Sequence, residues 1–383
     1  MTNKKHLVIG IDATNLRRGG GVTHLLELLS SAKPNEFGIE RIVVWGMEET
    51  LNALDDRSWL EKHKTFNLNK GLIKIIWQRF YLSQAARNTG CDLLFVPGGS
   101  FFCNFKPIVT MSRNMLPFMW NELKRYGWSF FTIKLILLRF IQSHSYRNAD
   151  GVIFLTKFAQ KTVLEVVGKL KAKIITIPHG LNPRFKNKPR IQRPIDDYNN
   201  QKPYRLLYVS IIDKYKHQWN VVEAVSILRQ QGIPVVLDLV GPSYLPALKL
   251  LNNTIDSQKG QSWVVYHGAI NFDILHSFYH KADLGLFAST CENMPNILIE
   301  TMASGLPIAC SNRNPMPEVL GNGGVYFDPE NSSEIALVLR DLITSPTLRS
   351  KIAHESFQLS QKFTWERCAA ETLEFLVGLK IKG

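Results

Sequence analysis

Two glutamates in one short segment, Glu292 and Glu300, are well placed for chemistry on a polyhydroxylated ligand. Carboxylate oxygens accept hydrogen bonds from hydroxyl groups. The segment follows an apolar run that ends near Phe287, so the first glutamate lies just beyond a predicted strand. Ligands of parallel α/β sheets bind beyond the carboxyl ends of the strands, which makes this segment a predicted ligand site.

The same segment carries the signals of a helix start. Asn293 is a predicted cap, Pro295 suits the first turn, and Gly305 is predicted to end the helix. Free backbone amides near Met294–Ile297 would then bind an anion such as a diphosphate. Taken alone, the pattern also fits an ordinary capped helix with two solvated glutamates.

The spacing Glu292-x7-Glu300, followed by ETMASGLPI, resembles the E-x7-E signature of retaining glycosyltransferase family 4, which has the GT-B fold. Further segments resemble family landmarks in the same order, so the resemblance covers nearly the whole chain. It implies an α/β architecture in which two Rossmann-like, doubly wound parallel-sheet domains face a central cleft. The further landmarks are Gly19–Gly21, Leu206–Ser210, Lys216, Val221–Ala224, Val240–Pro242, Tyr266–Gly268 and Gly324–Pro329.

The resemblance implies a role for three charged residues. A lysine at the position of Lys216 neutralises the donor diphosphate, Glu300 holds the ribose, and Glu292 contacts the transferred sugar. Lys216 and Glu292 are therefore the predicted catalytic residues. Fixed cations and amides can stabilise a departing diphosphate, so neither a metal ion nor another cofactor is predicted to be essential. The other predicted donor-binding residues are Met294, Pro295, Asn296, Ile297, Gly241, Gly268, Gly20 and Gly21.

Two departures from the family pattern leave positions unassigned. Family members commonly carry an arginine where this chain has Ser210–Ile212; Lys214 is a candidate substitute, and a solvated lysine is the alternative. Many relatives carry a histidine near the acceptor, but none follows the predicted strand Ile108–Met111. Polar residues at the end of that strand are predicted to face the acceptor instead. They are Ser112, Arg113 and Asn114.

Short apolar runs alternate with amphipathic stretches, which predicts parallel strands joined by helices. The rhythm breaks at 181–204, rich in proline and basic residues, and then restarts. We therefore expect an acceptor-binding domain at 1–180, a linker at 181–204 and a donor-binding domain at 205–362. By the family resemblance, a last helix at 363–383 packs on the first domain. Predicted strands are Leu7–Ile11, Ile42–Trp45, Leu93–Val96, Ile108–Met111, Val152–Leu155, Leu206–Ile212, Val235–Val240, Trp263–His267, Leu284–Phe287 and Pro307–Ser311.

Composition limits the partners and the compartment. Lys and Arg outnumber Asp and Glu by 46 to 32, and the net charge of +14 favours a polyanionic partner: phosphorylated substrates, anionic lipid or nucleic acid. No nucleic-acid motif accompanies the charge, so no nucleic-acid partner is predicted. The five cysteines lack paired spacing, and the run Leu7–Ile11 is too short for a signal peptide. These features predict a cytoplasmic location.

Aromatic and basic residues interleave between Met115 and Arg147. The most apolar part, Trp128–Gln142, is shorter than the roughly 20 residues that a spanning helix needs. It is predicted to lie on an anionic membrane, at the inner face of the plasma membrane, or equally to be a core helix of the first domain.

These expectations combine into one hypothesis. The chain transfers a sugar with retention from a nucleotide-diphosphate donor to a saccharide or polyprenyl-linked acceptor, in cell-surface polysaccharide or lipopolysaccharide synthesis. The alternatives are another GT-B activity, such as a sugar-nucleotide epimerase, or a non-catalytic sugar-nucleotide-binding subunit. His276 and His280 have a spacing compatible with metal but no HExxH context, so no metal site is predicted.

Overall fold

A computed structural model describes residues 7–16, 19–65 and 71–380 of the chain. The chain divides into two compact units. The first comprises Met1–Met119, Trp128–Gly180 and Phe363–Gly383, within the described residues, and the second comprises Trp120–Gly127 and Leu181–Lys362. Each unit is built on one parallel sheet.

The first sheet has seven strands in the order β3-β2-β1-β4-β5-β6-β7, and all neighbours pair in parallel. The central strands are buried on both faces, as expected for a parallel sheet covered by helices. The strands are Leu7–Asp12 (β1), Ile39–Gly46 (β2), Leu60–Lys64 (β3), Leu93–Val96 (β4), Ile108–Met111 (β5), Gly151–Phe154 (β6) and Lys173–Thr176 (β7).

The second sheet has six parallel strands in the order β10-β9-β8-β11-β12-β13. The chain order reverses between β8 and β11, which is the switch point where doubly wound sheets bind ligands. The strands are Tyr204–Val209 (β8), Val235–Val240 (β9), Val264–Tyr266 (β10), Leu284–Phe287 (β11), Ile308–Ser311 (β12) and Val325–Phe327 (β13).

Helices connect the strands, and their buried positions follow a helical period. In the helix that begins at Lys157, for example, Ala159, Val163 and Val167 are buried, and the Thr156 side chain caps the helix. The α-helices are Gly20–Ser30 (α1), Glu48–Asn52 (α2), Gly71–Ile76 (α3), Leu82–Asn88 (α4), Trp120–Lys124 (α5), Phe130–Asn148 (α6), Lys157–Val167 (α7), Gln218–Gln230 (α8), Leu245–Ser257 (α9), Phe272–Lys281 (α10), Asn296–Ala303 (α11), Met316–Leu320 (α12), Ser332–Thr344 (α13), Pro346–Ser360 (α14) and Trp365–Lys380 (α15).

The predicted α/β class with two doubly wound parallel sheets is confirmed. Four predicted strands have the observed bounds, and the others differ by a few residues at their ends. Three observed strands were not predicted: β3, β7 and β13, each at an edge of its sheet. Strands β3 (LEKHK) and β7 (KIIT) are partly exposed and lack a long apolar run, whereas β13 (VYF) is apolar but only three residues long.

The first domain was predicted to include 120–127, but this segment belongs to the second unit. We call residues 120–127 the inserted segment, because the chain leaves the first unit at Met119 and returns to it at Trp128. The predicted linker, 181–204, also lies in the second unit, where Phe185 is fully buried and the Asn187 amide donates to the Ala303 carbonyl.

Helix α15 belongs to the first unit, where Trp365 and Cys368 are buried; residues 381–383 of the predicted last helix lie outside the described part of the chain. Among the described residues, no helix is long and apolar enough to span a bilayer.

Gly305 stops helix α11 as predicted, with a left-handed φ of 67°. A Cβ at Gly305 would lie 2.6 Å from the Asn187 carbonyl oxygen, whereas a Cβ at Gly232, which also has a positive φ of 84°, would meet nothing within 4 Å. We expect Gly232→Ala to cost about 1–2 kcal/mol through backbone strain alone. Gly305→Ala should cost at least about 2 kcal/mol more, because a backbone atom must move. Urea denaturation of both variants measures the difference, and equal costs would contradict the packing described here.

Candidate functional site

The carboxyl edge of the second sheet gathers most of the predicted donor-binding residues. Lys216 follows β8, Gly241 follows β9, Gly268 follows β10, and Glu292 follows β11. In a parallel sheet these ends lie side by side, so the loops that carry the four residues share one edge.

Lys216 and Glu292 form an ion pair through Nζ and Oε1. Both side chains are largely withdrawn from water, with 7% and 15% of their surfaces exposed. The ammonium group also lies 5.1 Å from the ring centroids of Tyr215 and Phe287, which adds cation–π attraction. The two predicted catalytic residues are therefore in contact, and each compensates the charge of the other.

The loops that carry this pair are fixed to each other and to the sheet. Tyr208 in β8 donates from its hydroxyl to the Lys216 carbonyl at 2.8 Å, and the Thr290 amide donates to the Tyr215 carbonyl at 2.9 Å. His217 adopts a left-handed φ of 51°, and its Nε2 lies 3.1 Å from Thr290 Oγ1. The pair thus sits on a rigid loop junction.

Glu300 lies on α11 with its carboxyl group buried, and it accepts a hydrogen bond of 3.1 Å from the Tyr279 hydroxyl. Burial raises the pKa of Glu300 to about 8, since the charged form loses its hydration, and the Tyr279 hydrogen bond offsets only part of this effect. At neutral pH the folded protein therefore favours the protonated carboxyl group, which both donates and accepts hydrogen bonds.

The start of α11 differs from the prediction. Pro295 occupies the N-cap position rather than the first turn, and Asn293, the predicted cap, lies two residues before it. The Asn296 amide donates to the Met294 carbonyl at 3.0 Å, so it is not free to bind an anion as expected. Pro295 has no amide hydrogen, and its ring sets the sharp turn into the helix. Ile297 is the second residue of α11 and is partly exposed.

Gly241 and Gly268 lie together, because the Gly241 amide donates to the Gly268 carbonyl at 2.8 Å. A Cβ at Gly241 would lie 2.1 Å from the Ser210 carbonyl oxygen, so this glycine permits close packing of two loops. At Gly268, by contrast, an added Cβ would have no atom within 4 Å.

The inserted segment was not predicted to join this site, but its Glu122 reaches the loop that carries Glu292. Glu122 is 6% exposed and accepts hydrogen bonds from Thr290 Oγ1 and from Arg125 Nε, both at 2.8 Å. Arg125 also pairs with Glu330 at 2.7 Å. A buried carboxylate is thus satisfied by one residue beside Glu292 and one from its own segment.

Two further bonds hold the inserted segment to the loop before Lys216. The Tyr126 hydroxyl donates to Asp213 Oδ1, and Lys214 Nζ donates to the Arg125 carbonyl, both at 2.7 Å. Lys214, the candidate substitute for the family arginine, therefore has its ammonium group bound to the inserted segment.

In the first unit, Arg113 meets two other predicted residues. Its guanidinium donates to the carbonyls of Gly20 and Gly21, which form the first turn of α1 rather than a separate turn. Burial lowers the pKa of Arg113 to about 10. Ser112 is fully buried at the end of β5, and Asn114 accepts the Leu116 amide through its side chain. Arg113 is thus the charged group of the predicted acceptor side.

Among the described residues, one cluster has metal-ligating side chains in reach of one another: His24, His179 and Cys368, with ligand atoms within 4.8 Å. The two imidazoles are joined by a contact of 2.9 Å between their Nδ1 atoms. Burial, and then the positive charge of Arg113, keeps the pKa of His179 well below its usual range. A nearby cation disfavours a second one, so we interpret the cluster as a neutral packing contact of α15.

The architecture of two parallel-sheet units resembles that of several solved structures. A solved structure of sucrose-phosphate synthase from Thermosynechococcus elongatus resembles the chain with a TM-score of 0.75 at 15% identity, covering 99% of this chain and 100% of that one. Anabaena HepE in complex with UDP gives a TM-score of 0.68 at 16% identity, covering 98% and 99%. The chain has the GT-B fold of glycosyltransferases.

Residues 193–358 match the family model described as glycosyl transferases group 1. The segment contains Lys216, Glu292 and Glu300. Among curated relatives, O-antigen chain mannosyltransferase B of Escherichia coli is 26% identical over 113 residues, which cover 30% of this chain and 30% of the relative. The chain therefore spans about 30% of the length of that relative.

The raised pKa of Glu300 predicts a pH dependence of stability. Because the folded pKa of about 8 exceeds the unfolded value near 4.5, the folded state binds more protons between these values, and the free energy of unfolding should fall as pH rises through that range. The slope is at most about 1.4 kcal/mol per pH unit. Urea titrations of wild type and Glu300→Gln should diverge accordingly. Parallel pH profiles of wild type and Glu300→Gln would contradict the prediction. Tyr279→Phe removes the hydrogen bond that lowers the pKa of Glu300, so the stability of that variant should keep falling to higher pH than that of the wild type.

The two carboxylates on Arg125 offer a matched test of the inserted segment. Glu122→Gln removes a buried partner and should lower the free energy of unfolding of the second unit by about 2–3 kcal/mol. Glu330→Gln removes an exposed partner of the same arginine and should cost less than about 1 kcal/mol. Thermal or urea unfolding measures both, and a larger cost for Glu330→Gln would refute the assigned geometry.

Proposed function

We propose that the chain is a retaining glycosyltransferase that binds a nucleotide-diphosphate sugar at the carboxyl edge of its second sheet. The observation that carries the proposal is the largely buried Lys216–Glu292 ion pair, in a segment that matches the family model of glycosyl transferases group 1. The match covers only about 30% of the length of the curated relative, so the proposed activity is argued from the residues of this site and not from that relative.

The ion pair suggests how the donor is engaged. A diphosphate carries more negative charge than the Glu292 carboxylate. The Lys216 ammonium group can therefore leave Glu292 and pair with the phosphate oxygens instead. Glu292 is then released to accept hydrogen bonds from the sugar hydroxyls. As the glycosidic bond breaks, charge grows on the diphosphate, and a fixed cation in a water-poor site stabilises that charge.

Glu300 is the proposed ribose contact. A protonated carboxyl group donates to one ribose oxygen and accepts from the other hydroxyl, whereas the ionised form accepts from both. Tyr279 holds the Glu300 side chain in place through Oε2 and leaves Oε1 available for a ligand. The predicted glycines Gly241 and Gly268 supply a close backbone surface beside the same edge.

The remaining parts of the proposal concern the acceptor and the mechanism. Arg113, with Ser112 and Asn114, is proposed to face a saccharide or lipid-linked acceptor, since it is a half-buried cation at a strand end of the first unit. Transfer proceeds with retention and without an essential metal, because Lys216 can supply the positive charge that a metal would otherwise provide. The named activity of the Escherichia coli relative supports a role in cell-surface polysaccharide synthesis.

A membrane-bound acceptor is supported by an apolar stripe on α6. Phe130, Ile133, Leu137 and Phe140 recur at helical spacing, and they are 84%, 60%, 58% and 67% exposed. Trp128, just before the helix, is 99% exposed. This is the reverse of a core helix, whose apolar face is buried, and it suits a helix lying in a bilayer interface. We propose peripheral membrane association through this stripe.

Donor binding is tested by calorimetry with UDP-, GDP-, ADP- and dTDP-sugars in the presence of EDTA. One nucleotide sugar should bind the wild type, and Lys216→Ala and Glu300→Ala should each weaken it by at least about tenfold, because each loses a contact to a charged or buried group. Lys249→Ala, an exposed lysine of the same unit, is the charge-matched control. Unchanged affinity in the site variants would overturn the assignment.

Once a donor and an acceptor are found, NMR of the anomeric proton in the product tests retention, and inversion would contradict it. Full activity in EDTA is expected; restoration only by a divalent ion would contradict metal independence.

Membrane association is tested by sedimentation with vesicles that contain phosphatidylglycerol. Trp128→Ser/Phe130→Ser/Phe140→Ser should reduce the bound fraction by about tenfold or more, because three large apolar side chains no longer enter the interface. A control that replaces three exposed apolar residues of the second unit, Leu245→Ser/Ile274→Ser/Leu337→Ser, should bind like wild type. Equal loss in both variants would refute the stripe as the contact.

A further inference from the structure

A second candidate site lies in the second unit, at the opposite edge of the sheet from Lys216. Arg205 is the second residue of β8 and Asp283 immediately precedes β11, so both mark the amino ends of strands whose carboxyl ends lead to Lys216 and Glu292. A six-residue strand is about 20 Å long. A cavity of about 580 Å³ opens here, which we call the cationic pocket. Its charged lining consists of Arg190, Arg193, Lys202, Arg205, Lys281 and Asp283.

Part of the wall is fixed by hydrogen bonds. Arg190 donates to the Ala282 carbonyl and to Asp283 Oδ1, the latter at 2.8 Å. Asp283 also accepts from the Tyr198 hydroxyl at 3.1 Å and from the Arg205 amide at 2.9 Å. The carboxylate is therefore surrounded by donors, and it anchors the pocket rather than offering an empty acceptor.

The pocket has more positive than negative charge. Arg205 pairs at 2.8 Å with Asp238, which does not itself line the pocket. Arg193, Lys202 and Lys281 are exposed and form no salt bridge with any described residue. Five cations against two carboxylates leave an excess of three positive charges.

A buried arginine beneath the pocket adds to this excess. Arg349 is fully buried, donates to the carbonyls of Ile343 and Arg193, and lies 5.2 Å from the ring centroid of Tyr204. Its Nε has no partner among the described atoms. Carbonyl oxygens satisfy hydrogen bonds without cancelling the charge, so the guanidinium contributes positive potential through a poorly screening interior.

We propose that the cationic pocket binds a phosphate-bearing anion with two or more negative charges, at a site separate from the proposed donor site. Arginine and lysine groups on several sides match the many acceptor oxygens of such an anion. The excess of three charges suits a pyrophosphate-like group, and the volume accommodates a larger phosphorylated molecule. A free phosphorylated compound and a phospholipid headgroup share this chemistry. The pocket accounts for basic residues of 181–204 that the proposed transfer reaction does not use.

The test is calorimetric titration of the full chain with inorganic pyrophosphate. Lys216→Ala serves as the background, so that binding at the proposed donor site is removed. In that background, Arg193→Ala/Lys281→Ala should weaken pyrophosphate binding by about tenfold or more, since two charge-assisted contacts are lost. Lys249→Ala/Lys351→Ala, which removes two exposed positive charges from the same unit, should leave the affinity within about twofold. Both pairs are exposed, and thermal unfolding checks that each variant is folded.

A second arm separates the two sources of phosphate. Vesicles that contain cardiolipin, whose headgroup carries two phosphate groups, are mixed with the Trp128→Ser/Phe130→Ser/Phe140→Ser variant, so that the α6 stripe no longer contributes. Pyrophosphate binding without vesicle binding supports a free phosphorylated ligand. Vesicle binding that pyrophosphate and Arg193→Ala/Lys281→Ala both abolish supports a headgroup.

Equal pyrophosphate affinity in the pocket variant and its control, or no binding of pyrophosphate or vesicles, would overturn the proposal. Failure of the donor proposal appears separately, as a lack of nucleotide-sugar binding to the wild type.

Discussion

A charge withdrawn from water needs a partner, and at the carboxyl edge of the second sheet Lys216 and Glu292 meet that need for each other. Two consequences follow. The loops after β8 and β11 must stay in register, because separating them would leave two poorly hydrated charges unpaired. A ligand that binds there must also bring its own charge, since it replaces one partner of the pair. The same interaction therefore holds the loops together and restricts what can bind.

The inserted segment extends this constraint beyond the two loops. Glu122 is bound to Thr290 near one member of the pair, and Tyr126 is bound to Asp213 near the other. A segment that comes from between two parts of the first unit thus buttresses the loop junction of the second. Its buried carboxylate is a strong tether, because losing its donors would leave an unpaired charge in a dry environment.

Features encoded within one short segment of the sequence could be predicted, whereas contacts between distant segments could not. Inner strands such as β5 and β9 are buried on both faces and so appear as apolar runs, whereas β3 and β7 are partly exposed edge strands without long apolar runs. The spacing of Glu292 and Glu300 was recognised within one segment. The bond between Glu122 and Thr290 spans 168 residues and has no local signature. The one signal was that Glu122 is the single acid in the basic, aromatic stretch 115–147.

The two edges of the second sheet differ in how their charges are balanced, and this difference affects which ligands each edge can bind. At the carboxyl edge, cation and anion are paired, so a monovalent anion gains little by replacing Glu292 and leaves that glutamate without a partner. In the proposed complex, a diphosphate that carries a sugar replaces the carboxylate on Lys216 and offers hydroxyl groups to the carboxylate that it releases. At the amino edge, the positive charges exceed the negative ones, and no internal partner has to be displaced. If both proposed sites bind as argued, the carboxyl edge selects ligands that combine phosphate with sugar, whereas the amino edge selects chiefly by charge.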